Sequence, residues 1–447
     1  MRVSAFPDVA LNGINYGHPT CGRIFGKHVP QSTLRKAVID HLQRNLTVYD
    51  SVDYYPSLVV SSIEPVLPHL HNLNRLRLHL ATPLRTVLCA LSALPFLHTL
   101  EIHGARLDGP PWVEAFLQLR NLTSLTMTVA EMGAEDLNFD DEFNNVADIL
   151  TALAPRLSRL EIAGDLIDLS ALAALEWPRL NALRLLNHAI PSEIHVPLSA
   201  LVGRMPSLRI LGCDFSAGAQ PYCDPIIFGD DNPGPEIFLP DLCHLSISNV
   251  QPNDKVIHQL PRSLEILRVL AIRDNCEHRD FLSMNQCLQY RALSDAEAFR
   301  WIETAARLPH LTELALSLDN APSPAILSAI ASACPGLRTL ELEQAAYEDN
   351  ESLSQYSIEY LAQPLTILHD LRELRITLEL GAHNRAPMRR TPAVFTDIKD
   401  RVEEAAQIFA QLLPTLEIIG ILYCNDGLSI SSAPECHSVW RRMQIYR

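Results

Sequence analysis

The sequence predicts an α/β solenoid, an irregular horseshoe with parallel strands on its concave side and helices on its convex side. Three observations predict it. A phrase of the form Leu-x-x-Leu-x-Leu, with occasional Ile, Val, Met or Cys in place of leucine, recurs twelve times between Leu73 and Ile421. Within each copy the second and third apolar residues stand two apart, the period of a strand with one buried face. Ahead of most copies lies an apolar run at helical spacing that ends close to a proline. Examples are Val87-Leu88-Leu91-Leu94 before Pro95, Ile149-Leu150-Leu153 before Pro155, Ile326-Leu327-Ile330 before Pro335 and Val402-Ala406-Phe409-Leu412-Leu413 before Pro414. Proline lacks the N–H that a continuing helix needs, so it stops the helix and turns the chain into the next strand.

Each unit is therefore strand, loop, helix and turn. One such unit cannot bury both its strand and its helix, whereas stacked neighbours close a continuous core. Helices are wider than strands, so the stack curves with the strands inside.

Taken in order, residues 1–31 are punctuated by Gly and Pro without periodicity and are expected to be poorly ordered. The pattern Leu34-Val38-Leu42 then predicts a helix over 33–46, and Leu46-Thr47-Val48-Tyr49 a strand. That pair forms an atypical first repeat, a cap on the N-terminal end. The twelve copies begin at Leu73, Leu97, Leu122, Leu157, Leu180, Leu208, Leu242, Leu264, Leu311, Leu337, Leu371 and Leu416. Their uneven spacing places insertions after the strands, at 131–142, 214–236, 273–294, 347–357 and 379–396, along one rim. The solenoid of about 12–13 repeats spans 32–424. Residues 425–447, with Trp440 and Ile445, are expected to cap the C-terminal end and cover the apolar positions Ile418, Gly420 and Leu422.

Bulk properties narrow the function. In 447 residues, 47% hydrophobic and 20% charged content is enough to bury a continuous core. A net charge of −16 argues against a nucleic-acid partner, which needs a basic field. No stretch approaches the run of about 20 apolar residues that crosses a bilayer, and Pro7, Asp8 and Asn12 interrupt the N-terminus where a secretion signal needs an apolar run. A monomer in the cytoplasm or nucleus, without membrane association, is the expectation. The ten cysteines include no Cys-x-x-Cys and read as reduced, structural thiols.

Gly-x-Ser-x-Gly, His-Glu-x-x-His and Gly-x-Gly-x-x-Gly do not occur in a supporting context. The segment Gly17-His-Pro-Thr-Cys-Gly22-Arg23 lacks the Lys and hydroxyl of a phosphate loop, and His69, His71 and His79 straddle a helix-to-strand turn. No catalytic residue, metal or cofactor is expected.

The repeat resembles that of leucine-rich-repeat proteins of the irregular, helix-rich, ribonuclease-inhibitor-like kind, over about residues 40–424. The stretch Ala329-x-x-x-Ala333-Cys334-Pro335-x-Leu337-x-x-Leu340-x-Leu342 is similar to repeats of fungal F-box/leucine-rich-repeat proteins. Two departures stand out. The family places Asn or Cys eight residues after the first leucine, where only Cys424 fits here, so irregular loops are expected. Nothing before Ser32 resembles an F-box. The resemblance implies a non-catalytic scaffold that holds a protein partner, like the substrate-binding half of an SCF ubiquitin-ligase receptor. The SCF adaptor would be a further partner if an F-box belongs to the chain. The alternative is a regulatory or inhibitory binding protein unconnected to ubiquitination.

The phrase also says which residues face outward on the concave side. They are those between the second and third leucines: Arg77, Glu101, Glu161, Arg184, Arg268, Glu341 and Arg375, with Thr126, Gly212, Ser246, Ala315 and Gly420. Arg75 and Glu343 flank that column, as do His79, His103, Arg159 and Glu373. Rim loops carrying Asp140, Asp141, Tyr222, Phe228, Tyr347, Arg389 and Arg390 are the second candidate surface.

Overall fold

The computed structural model describes residues 10–12, 45–49, 70, 72–79, 91, 94, 96–103, 112–128, 139–187, 201–215, 239–250, 255–272, 291–344, 356–378, 392–426 and 436–444. The chain divides into two compact units, with the division falling between Leu208 and Arg209.

Among the described residues the first unit carries seven parallel strands: β1 Ala10–Asn12, β2 Asn45–Tyr49, β3 Arg75–His79, β4 Thr99–His103, β5 Ser124–Thr128, β6 Arg159–Ala163 and β7 Ala182–Asn187. Each pairs with the next in sequence order. Helices α1 Trp112–Gln118, α2 Phe139–Leu153 and α3 Leu169–Ala174 lie between them in sequence. The second unit carries β8 Ile210–Phe215, β9 His244–Ser248, β10 Ile266–Leu270, β11 Glu313–Leu318, β12 Thr339–Gln344, β13 Glu373–Thr377 and β14 Ile418–Asp426, again parallel and sequential. Its helices are α4 Asp295–Ala305, α5 Pro324–Ala333, α6 Ile358–Ala362 and α7 Pro392–Leu412.

The strands form where the phrase predicts them because the register aligns like with like. Leu76 pairs with Leu100, Leu100 with Leu125, and in the second unit Leu314 with Leu340 and Leu340 with Leu374. Every apolar residue of the twelve phrases is at most 5% exposed. At about 1.5–3 kcal/mol for each fully buried leucine, these columns are the main stabilising term of the fold.

Two backbone features recur beside the leucines. The first leucine's N–H donates to the carbonyl three residues earlier, as from Leu73 to Leu70 (2.9 Å), Leu337 to Cys334 (3.2 Å) and Leu416 to Leu413 (3.1 Å). The carbonyl just after that leucine accepts two N–H groups of the following repeat. Asn74 takes His98 and Thr99 (2.9 and 3.0 Å), and Arg338 takes Arg372 and Glu373 (2.9 and 3.0 Å). These bonds satisfy the polar backbone where the chain turns from helix to strand.

Helix starts follow from capping chemistry. The N–H of Ile326 donates to Ser323 Oγ (3.3 Å) with Pro324 in the first turn, and α5 ends at Ala333, with Cys334 as its C-cap just before Pro335. Helix α2 begins at Phe139, so Asp140 and Asp141 belong to a helix rather than to the expected rim loop. Acidic residues suit the first turn because the helix dipole is positive there.

Three further features shape the two ends and one loop. Segment 1–31 contributes β1, paired through Ala10 with Thr47 and Asn12 with Tyr49. A three-residue strand is too short to display a period of two, and it forms on the main-chain edge that β2 offers. At the other end, β15 Cys436–Gln444 adds to β14 as an antiparallel strand, with Ile418 opposite Gln444 and Leu422 opposite Trp440. β15 thus covers the edge of β14, which itself runs on to Asp426. Finally, the loop asparagine of the family is present one residue early. Asn249, with φ 51°, is 5% exposed. Its Nδ2 donates to Phe215 O (2.9 Å) and Ile272 O (3.3 Å), while its Oδ1 accepts from Arg291 N (3.1 Å). Ser248 Oγ adds bonds to Cys213 O (3.2 Å) and Phe215 O (2.6 Å). A count of eight from the first leucine overlooks both.

Candidate functional site

The outward column is in register across each unit. Arg77 stands beside Glu101, Glu101 beside Thr126, Thr126 beside Glu161, and Glu161 beside Arg184. In the second unit the row is Gly212, Ser246, Arg268, Ala315, Glu341, Arg375 and Gly420. Glu343 alternates with Glu341 along β12 and shares its face. Side chains one strand apart are close enough to interact, so the column forms cross-strand ion pairs.

Glu101 is the centre of the first unit's cluster. Arg75 Nε donates to its Oε1 (2.7 Å), Arg77 Nε donates to its Oε2, and His103 Nε2 lies 3.9 Å from Oε2. The sequence reading placed Glu101 among the residues exposed to a partner, but the two guanidiniums cover it and leave it 6% exposed. Burial alone would raise its pKa; the neighbouring His103 and the hydrogen bonds from Arg77 and Arg75 outweigh burial and lower it to about 2. His103 is held in turn by Thr128, Nδ1 to Oγ1 at 2.9 Å. Across β5, Arg159 Nη2 donates to Glu161 Oε2 (3.4 Å). Arg184 has no hydrogen-bond or ion-pair partner among the described residues.

These side chains line a shallow depression of about 590 Å³ whose floor carries the hydroxyls of Thr99, Ser124 and Thr126. Its four arginines outnumber its two glutamates. The second unit's face is opposite in sign. Arg268 Nε donates to Glu313 Oε1 (2.8 Å), and Arg375 bonds both Glu373 Oε1 (3.0 Å from Nε) and Glu341 Oε2 (2.9 Å from Nη1). Burial would lower the Arg375 pKa, but the Glu373 hydrogen bonds and the charges of Glu341 and Glu373 raise it. With Glu343, four glutamates face two arginines.

The architecture is that of a leucine-rich-repeat solenoid.

No protein-family model and no curated protein sequence matches the chain. Similar solved structures include a Bacteroides fragilis protein (16% identity, TM-score 0.33), of which the match covers 66%, just under two thirds, against 56% of this chain. The complex of Rad7 and Elc1 from yeast is another, at 14% identity and TM-score 0.38 over 74% of this chain and 89% of that one. A leucine-rich-repeat protein of Leptospira interrogans matches at 16% identity and TM-score 0.25 over 85% and 90%.

Of the residues predicted from sequence, Arg75, Arg77, Glu101, Glu161 and Arg184 come together in the first unit's depression. In the second unit, Arg375 joins Glu341, while Arg268 pairs with Glu313, a residue that sequence reasoning missed. Thr99 and Ser124 were missed too. All three occupy the position before the second leucine, and the period of two that selected Arg75 would have selected them. Tyr222, Phe228, Tyr347, Arg389 and Arg390 lie outside the described residues. Among the described residues no group of three or more His, Cys, Asp or Glu could hold a metal ion, and no helix is long and apolar enough to cross a membrane.

Proposed function

We propose that this chain is a non-catalytic scaffold whose strand-borne columns hold a protein partner. One observation carries the reading: the polar column stays in register across consecutive strands. The surface so formed is elongated and fixed by the core beneath it. An array of charged and hydroxyl groups suits recognition of another chain, and because Glu101 already holds Arg75 and Arg77, less of their side-chain freedom is lost on contact. Affinity capture with the full chain tests it. Replacing Arg75, Arg77 and Arg184 together by Glu should abolish recovery of the partner. Undiminished recovery would move the interface off this face.

The finer reading is a substrate-holding receptor of an SCF ubiquitin ligase. It is supported by the likeness of Ala329–Leu342 to F-box/leucine-rich-repeat repeats. Recovery of the SCF adaptor and a cullin with the chain is its test, and their consistent absence would favour a regulatory or inhibitory binding protein instead. Two buried free thiols, Cys213 and Cys334, fit a reducing compartment, and a monomer in the cytoplasm or nucleus remains the reading.

A further inference from the structure

We infer that the first unit's column takes an acidic peptide segment of its partner, bearing carboxylates or phosphates about four residues apart. This rests on the reading of the column as a partner surface and adds the chemistry of what it binds. Four arginines approach the depression from both sides, Arg75 and Arg77 on β3, and Arg159 and Arg184 on β6 and β7. Between them, β4 and β5 contribute the hydroxyls of Thr99, Ser124 and Thr126, small groups that leave room above the sheet.

The arrangement is built for anions. Glu101 occupies the inner edge of the Arg75 and Arg77 guanidiniums, and their side chains remain 48% and 32% exposed. A guanidinium has five donors in a planar fork, so the buried carboxylate positions the Arg75 fork and leaves part of it for a ligand. Arg184 is uncommitted among the described residues. Arg159 holds Glu161 through one long bond of 3.4 Å and is 50% exposed.

Spacing selects the ligand. Arg75 and Arg159 occupy equivalent positions three strands apart, about 14 Å at roughly 4.8 Å per strand. A single small anion cannot reach both sides. An extended peptide rising about 3.3 Å per residue reaches across in about four residues, with hydroxyls beneath it to bond its backbone or side chains. A nucleic acid also carries repeated anions, but the net charge of −16 repels a long polyanion outside the patch. A short acidic segment meets only the local excess of arginine.

The test is fluorescence anisotropy with a labelled extended peptide carrying two glutamates about four positions apart, its phosphoserine counterpart and its glutamine counterpart. Glutamate and phosphoserine peptides should bind and weaken as salt rises, and the glutamine peptide should not bind. The double change Arg159→Glu and Arg184→Glu should weaken binding at least about tenfold, as loss of two charge-assisted contacts requires. Arg307→Glu, the same charge change at an exposed helix end, should leave it unchanged. If the double variant fails to fold by circular dichroism, Arg184→Gln alone should still weaken binding several-fold. Equal binding of the glutamine peptide, or an affinity indifferent to Arg159 and Arg184, overturns the inference. Tighter binding of a single-stranded oligonucleotide than of either peptide overturns it as well. If acidic peptides fail while partner capture still depends on the arginines, the interface stands and only its acidic ligand falls.

Discussion

Replacing Glu101 by Gln should destabilise the first unit at neutral pH and progressively less as the solution is acidified. The carboxylate is 8% exposed and its pKa falls from 4.5 to about 2 in the fold. At about 1.4 kcal/mol per pH unit, that difference is worth up to about 3 kcal/mol. Because Arg75 and Arg77 are half and one-third exposed, solvent screening brings the expected effect to about 2 kcal/mol. The sign follows from linkage. A depressed native pKa means the stabilisation is complete above the unfolded value of 4.5 and is lost as pH falls towards 2. The same relation leaves about three fifths of it at pH 3.5. Two units make a single global unfolding transition a poor readout, so local opening is better followed by amide hydrogen exchange in β4 and β5. Wild type and Glu101→Gln should differ by about 2 kcal/mol at pH 7 and clearly less at pH 3.5. A difference that stays constant with pH, or none at pH 7, would refute the claim that the ionised carboxylate holds this cluster together.

Other outcomes follow from the core and the rim. Trp177 is fully buried and its Nε1 donates to Leu172 O (3.1 Å). Trp177→Phe should therefore cost about 1–3 kcal/mol for an orphaned carbonyl and a small void, and Trp177→Ala about 3–5 kcal/mol, both read in the exchange rates of β6 and β7. Asn249→Gly keeps the positive φ and loses three hydrogen bonds, while Asn249→Ala also strains the backbone. The alanine variant should be less stable by a further amount of about 1 kcal/mol, read from amide exchange in β9 and β10, and equal protection would remove strain from the account. Burial raises the thiol pKa of Cys334 to about 11 and pushes that of Cys213 up further. Neither should react with a thiol reagent at pH 8 until the chain unfolds, and rapid native labelling would contradict their burial.

The fold was legible because its signal is redundant. Each copy of the phrase is weak, yet within each unit the copies align in register with every apolar position buried, and the prolines at 155, 335 and 414 mark helix ends. What failed was local. Asp140 and Asp141 were read as loop because an acidic run resembles a solvated insertion, whereas a helix N-terminus favours the same composition. Asn249 was overlooked because a fixed count from the first leucine cannot follow a loop that turns one residue sooner. The candidate site was legible as a set of outward positions and not as a set of interactions. Alternation identifies Arg77 and Glu101 as neighbours of buried leucines but says nothing of which charge covers which.

The sequence by itself determined the period, the identity of the buried columns and the alternate residues left facing outward. Those depend on geometry within a single strand, where successive side chains point to opposite faces. Only the tertiary structure decided that Glu101 sinks beneath two arginines, that Arg268 meets Glu313, and that Arg184 stays uncommitted among the described residues. Those outcomes depend on registers between strands tens of residues apart, and no local pattern encodes the distance between two side chains that meet only when repeats stack.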